Sequence, residues 1–516
     1  MRFLTSSSAD FSKIYNMVEE NREILPFILN RDGISFNFRW YHLLPQKSGV
    51  LFLIVAMICL PQEFYFINAH AEIVLTDPDL KIEVLAKDLG TTTAMDFLGK
   101  DDILILTKEG KVYRMLNGNV SRDPLLELNV DSEQERGLLG IAVAKAPEEN
   151  ENGGFPFPFP FRPYPRYVFL YYTEKVPLTN DTCAAQCERN EIPSNRLYRY
   201  EFIDNRLTNP RMLLEIPVDR GAKDGILYTQ HFGGAITIGP DNNVYLVTGD
   251  GGTCYSYESC KRAVDTGFLN TQTANKADGS RAMGKGAILH LTQDGDAVDA
   301  ILGNDYPSNL YYAYGIRNSF GIDFDPVTGN LWDTENGPTF GDEINLVEPG
   351  FNSGWAKIQG DWTIHSYTHL EPVSLHKGYS NNSSSYYDDN LEDFNGKGQY
   401  SAPEFIWNKS IGVTSLKFYG SDKMGKDYEN DMFVGAFHLG LLYHFNLDES
   451  RRNLLLEEPL VDKVANSEEE LDKVILGYGF NSISDIEVGP NGYLYVLTLT
   501  GEVLKIVPRD KEDLIR

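Results

Sequence analysis

The sequence predicts an all-β fold, a six-bladed β-propeller, on three observations: a recurring strand–turn–strand phrase, an excess of aromatic and glycine residues, and turn residues set between alternating strands. The phrase runs apolar strand, Pro-x-x-Gly or a similar turn, then a second apolar strand. It is clearest at Ile236–Asp250, with the turn Gly239-Pro240-Asp241-Asn242, and again at Ile322–Trp332 and Ile486–Leu497. Looser copies begin near Ala94, Gly137 and Val413. Alternation at every second residue marks strands, and turns of the Asn-Gly and Asp-Gly type mark hairpins. The chain carries 29 Tyr, 28 Phe and 45 Gly in 516 residues, which suits short strands and tight turns better than helices.

Six copies of such a unit fit blades set around a central channel, with the loops of one end converging on it. Lys81-Ile82-Glu83-Val84-Leu85 is expected to pair beside Gly501–Val507 and so close the last blade. Two insertions interrupt the pattern. Residues 146–166 contain alternating Phe and Pro from Phe155 to Phe161 and read as a loop, since proline donates no ladder hydrogen bond. Residues 362–402, rich in Tyr, Asn, Ser and Asp, read as a second long loop.

Residues 1–71 read as a signal or targeting segment and residues 72–516 as the propeller. Arg39, His42 and Lys47 precede an apolar run from Val50 to Leu60, and Ala69-His70-Ala71 supplies a small-x-small cleavage pattern. The run is short for a bilayer span, so a cleaved signal is expected, with a retained membrane anchor as the alternative. Cys183, Cys187, Cys254 and Cys260 form two close pairs in loop-like segments, as expected of disulfide staples in a secreted or extracytoplasmic protein. Sequons stand at Asn119, Asn180, Asn382 and Asn408. A formal net charge of −28 repels phosphate backbones and argues against nucleic acid as a partner.

Three polar clusters fall where strands should end. In Gln230-His231-Phe232-Gly233-Gly234, glycines leave the His231 ring approachable, as a general base requires. In Gly315–Gly321, Arg317 offers a permanently charged donor fork for a carboxylate or oxyanion, and Asn318 adds a donor and an acceptor. In Glu335–Glu343, outward carbonyls at Gly337 and Pro338 together with Asp342 and Glu343 are hard oxygen ligands of the kind Ca²⁺ takes. Taken singly, each cluster has an ordinary structural explanation.

Together, and joined by Gly137-Leu138-Leu139-Gly140, Gly249-Asp250 and Gly354-Trp355, they resemble the glucose/sorbosone dehydrogenase family over residues 80–508. The resemblance implies a soluble sugar dehydrogenase that uses pyrroloquinoline quinone (PQQ), with a small aldose as substrate and a separate electron acceptor. It implies that His231 is the general base, that Arg317 and Asn318 bind the quinone, and that the Gly337 and Pro338 carbonyls hold a quinone-bound Ca²⁺. Glu343, with the Ser353 carbonyl, matches a second calcium site.

The chain departs from the family pattern where the quinone carboxylates would be held. Ser482-Ile483-Ser484-Asp485 stands where R-x-R-D is usual, His438 where lysine is usual, and Glu135 where glutamine precedes G-L-L-G. Each lost charge-assisted hydrogen bond costs roughly 1.5–3 kcal/mol, so PQQ binding requires another cation, with Arg136 the nearest in sequence. The alternative is a non-catalytic calcium-binding propeller that binds a glycan or protein. A third reading, a calcium-dependent hydrolase, would need channel carboxylates from several blades around one metal. No serine-hydrolase elbow, H-E-x-x-H or dinucleotide-binding fingerprint is present.

Overall fold

The computed structural model describes residues 73–144, 166–177, 191–218, 230–251, 284–355, 358–363 and 391–509. The apolar run Val50–Leu60, Cys183, Cys187, Cys254 and Cys260, the Phe-Pro stretch and residues 364–390 lie outside them, as do the sequons at Asn180 and Asn382. Asn119 is exposed and Asn408 half-buried. Among the described residues the fold is all-β, broken by four short 3₁₀ turns, and no helix is long and apolar enough to cross a membrane.

The strands form a β-propeller. Six of them, Thr92–Gly99, Leu138–Val143, Ile236–Ile238, Ser319–Phe324, Val413–Phe418 and Ile483–Val488, each touch the next and return to the first, making a closed inner ring. Each begins a sheet that runs outward, and the sheets are numbered here one to six in that order. Antiparallel pairing carries the second sheet through Arg166–Pro177, Glu191–Ile203 and Arg206–Pro217, and the other sheets through similar runs.

Five sheets have four full strand positions, where six were expected; the first sheet is the exception. After Lys111–Leu116 the chain turns at Asn117-Gly118, both at positive φ, into the two-residue strand Asn119–Val120. Pro124 then interrupts pairing, and only Leu126–Glu127 returns to the edge, so the outer position is split.

Two further expectations need amending. The 362–402 insertion is not wholly loop: Trp362–Thr363 pairs with Ile358–Gln359, and Gln399–Tyr400 pairs with Phe351–Asn352. The closing strand is Leu80–Ala86, slightly longer than anticipated, and it pairs antiparallel with Val503–Pro508 on the outside of the sixth sheet. The last-made strands of the ring are thereby tied to the first.

Apolar side chains fill the wedges between sheets. Trp332 of the fourth sheet packs against Phe418 of the fifth, beside buried Phe405, Trp407 and Phe445. Towards the channel, packing is close enough to exclude side chains. A Cβ on Gly140 would lie 1.8 Å from the Gly234 carbonyl oxygen, and one on Gly234 would lie 2.7 Å from Leu139 Cβ. The G-L-L-G and H-F-G-G motifs are therefore two surfaces of one contact between the second and third sheets.

That contact makes a prediction. Gly140→Ala should destabilise the protein by about 3 kcal/mol or more, the upper end of the overpacking range, because backbone opposes backbone. Gly99→Ala, where the new methyl would meet only Arg166 Nη1 at 3.9 Å, should be nearly neutral in the same denaturant titration.

Candidate active site

A cavity of about 590 Å³ occupies the channel and is lined by all six inner strands and the loops before them. Glu135, His231, Arg317, Ser410 and Ser482 each stand a few residues before an inner strand, so the chain delivers them to one end of the ring.

His231 is held from three sides. Its backbone takes φ +58°, a left-handed conformation, and its N–H donates to Glu135 Oε2 at 2.6 Å. Its carbonyl accepts from the Gly251 N–H at 3.0 Å, and a Cβ on Gly249 would approach that carbonyl oxygen to 2.2 Å. The glycine of Gly249-Asp250 is thus required by the close pass of the His231 backbone. The ring lies between Asp250, whose Oδ1 is 2.7 Å from Nδ1, and Arg317, whose Nη2 is 3.0 Å from Nε2. Arginine can only donate, so Nε2 is the unprotonated nitrogen and Nδ1 carries the proton donated to Asp250. Trp355 Nε1 donates to the other Asp250 oxygen at 2.8 Å. This is the geometry of an oriented general base: a lone pair facing the cavity and a buried carboxylate behind the ring.

Arg317 joins the third and fourth sheets. Its Nη1 donates to the carbonyls of Asn336 at 2.8 Å and Gly337 at 3.0 Å, and its backbone N–H donates to Glu335 Oε1 at 2.7 Å. Burial lowers its pKa, while Asp250, Glu135, Asp342 and Glu335 act in the opposite sense. Asn318 Oδ1 accepts from the Gly233 N–H at 3.1 Å, so Asn318 also positions the His231 loop.

The third cluster divides. Asp342 accepts five hydrogen bonds, from the Gly337, Ile411, Gly412 and Val413 N–H groups and the Ser410 hydroxyl. Its carboxylate holds that loop in place. Glu335 and Glu343 lie directly opposite across a strand pair, as do Asp333 and Asn345. All four are buried on one face. Among the described residues neither Asp333 oxygen makes a hydrogen bond of good geometry, Asn345 and Ser319 being its polar neighbours, and Asn345 Oδ1 and Gln359 Oε1 accept none. Burial raises the Asp333 pKa to about 7 and the Glu343 pKa to about 8. Burial, followed by Glu343 and Asp333, drives Glu335 well above its usual range. Unpartnered hard oxygens at this density fit a bound Ca²⁺. Among the described residues no three acid or imidazole groups converge as a ready-made metal cage. Pro338 is half-buried, and the Gly337 carbonyl already accepts from Arg317.

Ser482 and Ser484 lie where expected; Ser484 lines the cavity, and its hydroxyl donates to Leu497 O at 3.3 Å. His438 lines the cavity and is exposed. Arg136 does not replace the missing cations: it is fully buried and ion-paired with Asp131 at 3.3 Å and Glu133 at 2.8 Å.

Sequence reasoning singled out Gly249-Asp250 without seeing that Asp250 orients His231. It also missed a charged group deeper in the channel. Asp96, Asp323, Lys417 and Glu487 occupy one place in the repeated phrase, just before Phe97, Phe324, Phe418 and Val488. Lys417 Nζ lies 2.8 Å from Glu487 and 3.6 Å from Asp323. Its ammonium places a positive charge among these channel acids, which counts against a second cation there and so against the hydrolase reading.

A match to the family model described as Glucose / Sorbosone dehydrogenase spans residues 89–505, and the chain belongs to that family. It is 28% identical over 284 residues to an aldose sugar dehydrogenase of Escherichia coli (strain K12), covering 54% of this chain and 61% of that protein. It is 30% identical over 206 residues to quinoprotein glucose dehydrogenase B of Acinetobacter calcoaceticus, covering 38% and 37% of the two chains. The crystal structure of the soluble E. coli aldose sugar dehydrogenase in its apo form superposes with a TM-score of 0.56 at 21% identity, covering 83% of this chain and 100% of that one. A PQQ-bound aldose sugar dehydrogenase of Streptomyces coelicolor gives 0.50 at 18% identity, covering 83% and 98%.

The buried acids predict an unusual pH dependence. Unfolded, Asp333 loses its proton near 3.8; folded, it keeps it to about 7, so the folded chain binds more protons between those values. Stability of the calcium-free protein should therefore fall as pH rises through that window, by at most about 1.4 kcal/mol per pH unit for each such group. Urea titrations at pH 5 and 7.5 should show the loss, and Asp333→Asn should shrink it.

Proposed function

We propose that this protein oxidises aldose sugars outside the cytoplasm, using PQQ and calcium, on a propeller in which the sheet with the split outer position serves as the sixth blade. The observation that carries the reading is His231 set between Asp250 and Arg317 at the end of a cavity large enough for a tricyclic cofactor and a sugar. Family membership supports the sugar as substrate, and the PQQ of the S. coelicolor relative supports the cofactor. The closed inner ring supports the blade count.

Bound PQQ would supply the hydride acceptor for the anomeric C–H, and Ca²⁺ would supply Lewis-acid polarisation of it. The rest of the work belongs to the chain. A substrate hydroxyl displaces Arg317 from His231 Nε2 and delivers its proton there, and Asp250 stabilises the imidazolium that results. The freed Arg317 donors would stabilise oxygen on which negative charge develops. Gly337 and Pro338 would supply carbonyls to one calcium, and Glu343 with Asp333 would hold a second. Export follows from the Val50–Leu60 run and the paired cysteines, and a mobile electron acceptor completes the cycle.

Titration of metal-stripped protein with PQQ, with and without Ca²⁺, is the deciding measurement, followed by an aldose panel with an artificial acceptor. Calcium-dependent binding at micromolar PQQ and bleaching by sugar are expected. His231→Ala should keep PQQ binding and lose at least about a hundredfold in kcat. Absence of binding leaves the non-catalytic propeller, with its ligand to be sought among glycans and proteins.

A further inference from the structure

The charged side chains around the cavity are not equivalent. Glu135 is engaged by the His231 N–H, and Arg317 by His231 and two carbonyls. Asp485 accepts from the Met95 and Ile486 N–H groups and the Ser415 hydroxyl, and Glu487 is paired with Lys417. Lys108 also lines the cavity, yet among the described residues its ammonium has neither a hydrogen-bond nor an ion-pair partner.

Its backbone is fixed where it stands. The Lys108 N–H donates to Thr91 O at 2.8 Å, and its carbonyl accepts from the Leu138 N–H at 3.0 Å, locking the end of one strand between the first and second sheets. The stem passes over Gly137, where a Cβ would come within 2.7 Å of Lys108 Cγ. Glycine at 137 is thus what leaves room for the side chain, and the half-buried Lys108 lines the cavity. Lys108 stands at the junction of the first and second sheets and Arg317 at that of the third and fourth, so the two cations reach one cavity from separate junctions of the ring. The cavity therefore has a partnered cation at one junction and, among the described residues, an unpartnered one at another, while its acids are already satisfied.

We propose that Lys108 receives a carboxylate of the ligand bound in this channel, taking over part of the anion binding that Ser482 and Ser484 cannot provide. The identity of the ligand rests on the sugar-dehydrogenase reading; the existence of the site does not. An anionic ligand in the cavity finds there one lysine that no group among the described residues already engages. The carboxylate has two sources, the quinone itself or an acidic sugar such as a uronic acid.

The test uses the full-length protein and Lys108→Met, Lys108→Arg and Lys108→Glu, each checked by circular dichroism and thermal melting. PQQ affinity is read by fluorescence quenching in calcium, without turnover. A quinone carboxylate at Lys108 predicts affinity about ten- to a hundredfold weaker in the Met variant, weaker still in Glu, and largely kept in Arg. A sugar carboxylate predicts unchanged PQQ affinity, with the kcat/KM ratio of glucuronate to glucose falling about tenfold in Met. If wild type binds PQQ and neither quantity moves, the inference is overturned and the dehydrogenase reading stands. If wild type binds no PQQ, that reading falls, and glucuronate-induced thermal stabilisation decides the site. Stabilisation of wild type but not of Lys108→Met upholds it; equal behaviour, including none in either, overturns it.

Discussion

The inner strand of every blade is a sheet edge, and it faces a channel instead of bulk water. Its outward N–H groups must find acceptors in a narrow space, and the rest of the architecture depends on how that is done. Here carboxylates from the neighbouring inner strand supply the acceptors. Asp96 accepts from Val143 N at 2.6 Å, Asp323 from Phe418 N at 2.9 Å, and Asp485 from Met95 N at 2.8 Å. Each bond crosses from one blade to the next. The arrangement concentrates negative charge around the axis, and Lys417 offsets it; the nearby Asp323 and Glu487 hold its ammonium charged against burial. A carboxylate that closes a ring is necessarily buried, which is why Asp96, Asp485 and Glu487 have raised pKa values, with desolvation the leading cause.

The same device shapes the other end of the channel. Glu135 reaches from the second sheet to the His231 backbone, Asn318 from the fourth sheet to Gly233, and Glu335 to the backbone of Arg317. The His231 imidazole, the Asp250 carboxylate behind it and Arg317 come from different stretches of chain and meet only where blades adjoin. His231 keeps a left-handed backbone because Glu135, Gly251 and the bare Gly249 determine its position from outside. Such strain persists where the surroundings over-determine it.

Most of the propeller was legible because its signal is local. The phrases around Ile236, Ile322 and Ile486 mark inner strands and their hairpins by alternation and turn chemistry alone, and Lys81–Leu85 declared its pairing by position. What stayed hidden depends on direction in space. Nothing in Asn119 or Pro124 says that one blade's edge will be split in two. Asp342 and Glu343 are adjacent and chemically alike, but a strand sends them to opposite faces, so one ties a loop and the other joins a buried acid cluster. Asp250 was visible in a motif, but its role appeared only once Trp355 and His231 were seen on either side of it. A lysine within a strand, such as Lys417, ordinarily reads as surface; only the ring turns it inward.

The closing strand has a consequence for how the molecule comes into being. Leu80–Ala86 emerges early in synthesis, yet its partner Val503–Pro508 is made more than four hundred residues later. Until then the sixth sheet lacks its outer strand, and the ring has one seam that cannot be joined. Contacts of such sequence separation are slow to form, because the chain between them must first be gathered in. Order in this protein therefore arrives last at its own beginning. Any ligand of the channel meets either an open strip of blades or a finished ring, and only the ring has an opposite wall.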